Sequence, residues 1–236
     1  GEASGLGDAS RIDHVIGTTF ADILTGDAFD NILEGGGGAD TLSGDDGDDT
    51  YVLGEGWGTG LIIKEESSVG SGWDTLDFAQ VTSGVTVTVA ADGTFTIDSG
   101  SSSLAASDIE HLRGGGTAIL DYSIYDSPVV VDLGDGTATN FLSIAGFNEI
   151  IGSSGDDILL GNDDANALRG GEGDDLIRGG GGADTLDGGI GFDTLIERAD
   201  ADLTLTNTSL DASGVMDTLS GFERAELTGG AHSNRL

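Results

Sequence analysis

Acidic and amide side chains recur in this chain at a fixed step of nine. From Asp13 the step reaches Asp22, Asn31, Asp40 and Asp49; from Asn148 it reaches Asp157, Asn166, Asp175, Asp184 and Asp193. Two residues after each stands an aliphatic or aromatic residue: Val15, Leu24, Leu33, Leu42 and Tyr51, then Ile150, Leu159, Leu168, Ile177, Leu186 and Leu195. Asn31 and Asn166 lie 135 residues apart, fifteen steps of nine, so both runs share one phase. Evenly spaced side-chain oxygens suit one chemistry above others, the holding of a hard cation. The overall charge agrees: 8 Lys and Arg against 43 Asp and Glu give −35. A chain this acidic repels nucleic acid and anionic membranes.

The elements that must position these oxygens follow from the rest of the unit, G-G-x-G-x-D-x-L-x. Glycine admits backbone angles that side chains forbid, so six residues make a tight turn. The last three, such as Thr41-Leu42-Ser43, suit a very short strand with one inward side chain. Two units make a coil of strand, turn, strand, turn. Stacked coils form parallel sheets on two sides, with the aliphatics as a thin continuous core. The acids of steps n and n+2 then share an edge, about 4.8 Å apart. Bare carboxylates stacked so closely repel one another. A dication reverses the sign, and the glycine turns add backbone carbonyls. Together these give the six to eight oxygens calcium accepts, whereas magnesium demands a smaller and stricter octahedron.

The units GGGGADTLS, GGEGDDLIR, GGGGADTLD and GGIGFDTLI resemble the haemolysin-type calcium-binding repeat, the repeats-in-toxin (RTX) family. That resemblance implies a right-handed parallel β-roll with calcium between successive turns. It also implies type I export from a Gram-negative bacterium and folding on meeting extracellular calcium. By the same resemblance the ligand pairs are Asp22 with Asp40, Asn31 with Asp49, Asp157 with Asp175, Asn166 with Asp184, and Asp175 with Asp193. Carbonyls would come from the first and third turn positions: Gly35, Gly37, Gly152, Ser154, Gly161, Asp163, Gly170, Glu172, Gly179, Gly181, Gly188 and Ile190. Some units depart from the pattern. Phe20 and Phe29 replace the fourth glycine, and GNDDANALR carries Ala165 and Asn166, so these turns are expected to bind more weakly or to serve as block entries. Asp48 and Asp174, one residue early, read as solvated charges, and Asn234 stands where one more degenerate unit would place it.

Residues 54–147 leave the nine-step rule. Leu76-Asp77-Phe78 and Val85–Val89 recur 44 residues later as Leu120-Asp121-Tyr122 and Val129–Leu133. Similar closing elements follow, at Ile109-Glu110-His111-Leu112, Phe147-Asn148-Glu149-Ile150 and Phe222-Glu223-Arg224-Ala225. Alternating β-branched residues argue strands with one buried face. The expected architecture is therefore all-β: a solenoid with nonapeptide blocks at 1–53 and 148–196, wider rungs over 54–147 and a C-terminal rung over 197–236. A separate small sandwich over the middle segment is the competing arrangement.

No cysteine is present, which excludes disulfides and thiolate metal sites. No apolar run reaches the length of a membrane span. The opening GEASGLGDAS lacks a basic start and an apolar stretch, so export is expected by another route or within a longer parent. His14, His111 and His232 form no zinc motif. GEGWGTG lacks the Lys-Ser/Thr ending of a phosphate loop, and the paired aspartates belong to a periodic scaffold that accounts for them without catalysis. Trp57 and Trp73 are expected as packing caps rather than sugar platforms, and the Thr-x-Thr pairs as ordinary strand surface. The expected function is non-catalytic: a calcium-folded structural or adhesive module of a secreted or surface-attached protein, pairing end to end with copies of itself or with a surface glycan or protein. The alternatives are the carrier module of a secreted hydrolase and a glycan- or surface-binding module.

Overall fold

A strand of three residues cannot hold a sheet alone, so it survives only where successive turns return it to the same register. The computed structural model shows this over the residues it describes: 13–64, 72–198, 202–212 and 214–229. All regular structure there is β, with no helix among the described residues. The chain divides into two compact units, residues 1–87, 92–118 and 140–146, and residues 88–91, 119–139 and 147–236.

In the first unit β1 (His14–Ile16), β2 (Ile23–Thr25), β3 (Ile32–Glu34), β4 (Thr41–Ser43), β5 (Thr50–Val52) and β6 (Ile62–Ile63) alternate between two parallel sheets. Register follows the nonapeptide: Val15, Leu33 and Tyr51 are partners on one side, and Leu24 and Leu42 on the other. The rungs then widen through β7 (Thr75–Asp77), β8 (Val85–Val89), β9 (Phe95–Asp98), β10 (Ser103–Ala106) and β11 (His111–Asp121). Leu76 pairs with Tyr51, and Leu112 with Leu76, so the inward row continues at longer intervals. The excursion includes an antiparallel pair, β9 with β10. Leu33, Leu42, Tyr51 and Leu76 are fully buried. Trp57 is also buried, as expected, but Trp73 is 62% exposed, because it occupies the outward position just before the buried Asp74.

The second unit contains β12 (Val130–Asp132), β13 (Thr137–Ala138), the end of β14 (Ser143–Ile151), β15 (Ile158–Leu160), β16 (Ala167–Glu172), β17 (Leu176–Arg178), β18 (Thr185–Ile190), β19 (Thr194–Arg198), β20 (Leu203–Leu205), β21 (Ser209–Ala212), β22 (Val215–Ser220) and β23 (Arg224–Thr228). One sheet runs β14-β16-β18-β22-β21-β20 and the other β13-β12-β15-β17-β19-β23. Ile150, Leu168, Leu186 and Leu219 line up on one side; Val131, Leu159, Ile177, Leu195 and Ala225 on the other. Strand pairing between nonapeptide rungs is parallel, and antiparallel pairs occur only in the wider rungs among the described residues. No helix among these residues is long and apolar enough to cross a membrane.

Candidate metal centre

The turns explain where the acids go. In a G-G-x-G-x-D turn the second and fourth residues take left-handed backbone angles: φ is +84° at Gly36 and +130° at Gly38, +93° at Gly180 and +89° at Gly182. The reversal is tight enough to fold the acid at position six back beside the first glycine. A methyl group on Gly170 would collide with Asp175 Oδ2 and with the Gly188 carbonyl; on Gly161, with Asn166 Oδ1 and the Gly179 carbonyl; on Gly152, with Asp157 Oδ2 and the Gly170 carbonyl. The space that glycine leaves is thus edged by a side-chain oxygen of its own turn and a carbonyl from the turn 18 residues on.

All five expected pairs come together, and by one contact. The backbone N–H of the earlier residue donates to Oδ1 of the later one: Asp22 to Asp40 at 2.9 Å, Asn31 to Asp49 at 2.7 Å, Asp157 to Asp175 at 2.8 Å, Asn166 to Asp184 at 2.9 Å and Asp175 to Asp193 at 2.9 Å. These acids are buried, none more than 8% exposed. Asp13 is exposed and Asn148 half-buried.

Local capping divides the turns into two kinds. In four turns the N–H of the non-glycine residue at position two closes on the side-chain oxygen at position six: Thr18 on Asp22 at 2.7 Å, Asp27 on Asn31 at 2.7 Å, Ser153 on Asp157 at 2.6 Å and Asn162 on Asn166 at 2.9 Å. In five turns position two is left-handed, at Gly36, Asp45, Gly171, Gly180 and Gly189, and that amide points away. The five acids of those turns, Asp40, Asp49, Asp175, Asp184 and Asp193, each keep a buried Oδ2 with no protein partner. A buried carboxylate oxygen without a donor is costly. Burial accordingly pushes Asp175 up to about 7 and Asp49 and Asp184 to about 6, and raises Asp40 and Asp193 as well. Asp22, bonded by the Thr18 amide and hydroxyl, is instead held below its ordinary value.

The expected carbonyl donors are placed less uniformly. The carbonyls of Gly35, Gly170, Gly179 and Gly188 lie beside the first glycine of the turn before. Gly152 and Gly161 are buried, and Ser154, Asp163 and Glu172 are exposed. Gly37 and Gly181 face the preceding turn and donate their amides to the Thr18 and Asn162 carbonyls. The Ile190 carbonyl already accepts the Gly173 N–H at 2.9 Å.

Beyond the nine-step ladder, acids from the irregular rungs extend the same rows. Asp49 N–H donates to Asp74 Oδ1 and Asp74 N–H to Glu110 Oε2, each at 2.8 Å; Asp184 N–H donates to Asp217 at 3.0 Å and Asp193 N–H to Glu223 at 2.8 Å. A step of nine misses all four. Two had a local signal, since Asp74 and Asp217 begin the tripeptide Asp-Thr-Leu found also at Asp40, Asp184 and Asp193. Asp48 and Asp174 are exposed, yet form an outer row, accepting the amides of Trp73 and Phe192 at 2.9 and 2.8 Å.

Among the described residues no three carboxylate or imidazole side chains converge closely enough to hold a metal ion by themselves. Any ion in these gaps must draw on backbone carbonyls. The matching family model is the RTX calcium-binding nonapeptide repeat, in four copies over residues 11–56, 145–166 and 160–195.

These segments match the RTX repeat.

No curated protein matches the chain. Among solved structures, the extracellular lipase LipA from Serratia marcescens is similar at 17% identity, over 88% of this chain and 37% of the lipase chain, with a TM-score of 0.23. The chain thus spans little more than a third of that lipase, and so weak a superposition has no bearing on function. The donor set of these turns fits calcium on this chain's own chemistry: five orphaned buried carboxylate oxygens, each folded against the first glycine of its turn.

Proposed function

We propose that this chain is a non-catalytic, calcium-folded structural module that works outside the cell as part of a secreted bacterial protein. The observation that carries the reading is the set of five unpartnered oxygens on Asp40, Asp49, Asp175, Asp184 and Asp193. A fold that buries them without a ligand would be opposed by their desolvation and mutual repulsion. Bound calcium supplies the missing positive charge. Asp40, Asp49, Asp175, Asp184 and Asp193 present one free oxygen each, and the first-position glycine carbonyls present the neutral ligands. The four self-capped turns, at Asp22, Asn31, Asp157 and Asn166, need no ion to satisfy the side-chain oxygen that their own N–H caps, and serve as weaker sites. In low calcium the charge of −35 keeps the chain expanded, and external calcium turns binding energy into folding energy.

Circular dichroism during a calcium titration, with magnesium as control, tests this. The expected result is β signal that appears cooperatively with calcium and not with an equal concentration of magnesium. Full β signal in chelator, or with magnesium alone, overturns it.

A further inference from the structure

We propose that Glu197, which lies outside the nonapeptide pattern, is a cation ligand that closes the last gap on one edge of the second unit, together with Asp184. This rests on the calcium reading above and extends it to a site the repeat does not contain.

The regular gaps set the comparison. Gly152, Gly161 and Gly170 each face the carbonyl of the residue 18 positions later, and Gly188 faces the Gly221 carbonyl. At Gly179 the three atoms nearest to a methyl group placed there all belong to Asp184, as they belong to Asp40 at Gly35 and to Asp49 at Gly44. The residue 18 positions after Gly179 is Glu197. Where a nonapeptide would place a first-position glycine, this chain places a carboxylate side chain.

That carboxylate is oddly placed for a surface charge. β19 alternates, with Leu195 and Glu197 inward and Arg198 outward, so Glu197 holds a position that the strand gives to an apolar residue. It is 4% exposed. Its Oε1 accepts the Arg198 N–H at 2.7 Å, the Gly180 N–H also lies near enough to favour the carboxylate, and Oε2 is buried without a hydrogen bond. It lines a cleft of about 660 Å³ with Gly161, Asn162, Gly180, Arg178 and Arg198, a space far larger than an ion. Asp184 has its own orphaned Oδ2, and Asp217, whose Oδ1 accepts the Asp184 N–H, stands at the same edge. Strand register brings Glu197 beside Gly179, two residues beyond the Ile177–Leu195 pair, and Asp184 Oδ2 is the atom nearest to a methyl group placed on Gly179. Two buried carboxylates at one edge, Asp184 and Glu197, each with an unpartnered oxygen, call for a cation that backbone carbonyls complete.

Arg178 is the rival partner. It is near enough to favour the charged form of Glu197, but it makes no ion pair with it among the described residues, and its own buried Nε is unpartnered. The two readings of Glu197 therefore respond oppositely to loss of Arg178. If Glu197 binds a cation, the guanidinium opposes that ion and its removal tightens the site. If Glu197 is the counter-ion of Arg178, removal strands a buried charge and loosens the fold.

The test is calcium stoichiometry of the full chain by equilibrium dialysis, with circular dichroism on the same samples. At saturating calcium, Glu197→Gln is expected to bind one ion fewer than the parent with its β signal retained, and Glu197→Asp to keep the full number. Arg178→Gln is expected to tighten one class of site by roughly three- to tenfold. An unchanged stoichiometry in Glu197→Gln overturns the proposal. So does loss of β signal in Arg178→Gln, which is decisive even if Glu197→Gln fails to fold. A parent chain that binds no calcium overturns the broader reading and this one together, whereas a calcium-loaded parent with an indifferent Glu197→Gln overturns this one alone.

Discussion

At Asp175 the amide that could satisfy Oδ2 points elsewhere, because Gly171 sits at φ +122°; at Asp157, Ser153 supplies that amide at 2.6 Å. Asparagine appears at two of the four self-capped turns, Asn31 and Asn166, and at none of the five open ones. One carbonyl oxygen suffices where the turn's own N–H is the partner; an ion needs the anionic oxygen. Asp175→Asn is therefore expected to raise the calcium concentration at half-folding by roughly tenfold, about 1.4 kcal/mol. Asp22→Asn should shift it much less, and equal shifts in the two titrations would contradict the division. Protons compete for the same oxygens. The metal-free fold has Asp175 near 7 and Asp49 and Asp184 near 6, all above the unfolded value of 3.8. The folded state thus holds more protons between about pH 4 and 7, and its stability falls as pH rises through that window. Calcium reverses the sign, because the ion binds only the deprotonated acids. Residual β structure in chelator is expected to be greater at pH 5 than at pH 8, and the calcium-bound form to be more stable at pH 8 than at pH 5. Melts at both pH values, with and without calcium, would read the crossover.

The turn and its short strand act together at the next scale. Gly180 combines φ +93° with a backbone carbonyl, that of Asn162, where a methyl group would stand; Gly93 has φ +85° and nothing within 4 Å. Gly93→Ala is expected to cost only the left-handed penalty, about 1–2 kcal/mol. Gly180→Ala should cost distinctly more, because the preceding turn at Asn162 must also move, and thermal melts in saturating calcium would rank the two. Ile177, fully buried in the inward row, is expected to lose about 2–5 kcal/mol on truncation to alanine. Much of this was legible in the sequence. Period nine fixed the inward residues and the acid pairs, because one residue type per position is all that a rung this narrow can accept. Where rungs widen, the interval between ladder acids becomes 25 residues from Asp49 to Asp74 and 33 from Asp184 to Asp217, and no period survives. The Asp-Thr-Leu tripeptide still marks Asp74 and Asp217, since the strand that follows the acid is unchanged. Glu110 and Glu223 lack the tripeptide, yet they stand like the ladder acids two residues before an inward partner, Leu112 and Ala225, within the closing elements. What hid them is the glutamate in place of aspartate and the loss of the even step. Trp73 was misread for a related reason: an outward position beside an inward one looks the same in a string of letters.

For the whole chain the question is whether −35 needs screening or specific partners. Simple salt shortens the Debye length from about 10 Å at 0.1 M to about 3 Å at 1 M, which weakens repulsion between exposed acids such as Asp48 and Asp174. It cannot reach the buried Oδ2 atoms, which lack a ligand whatever the ionic strength. Relief of general repulsion and occupation of the ladder are therefore separable by size measurements. An unfolded chain of 236 residues has a radius of gyration of about 53 Å. In chelator it is expected to stay near that value and to shrink only modestly in 1 M sodium chloride, while calcium in dilute buffer should bring it to roughly half or less. Small-angle X-ray scattering gives all three values from one preparation. If sodium chloride compacted the chain as fully as calcium, charge density alone would explain its behaviour, and the ordered row of orphaned oxygens would be incidental. If only calcium does so, the even step of nine serves to hold anionic oxygens in places that solvent and monovalent salt cannot satisfy.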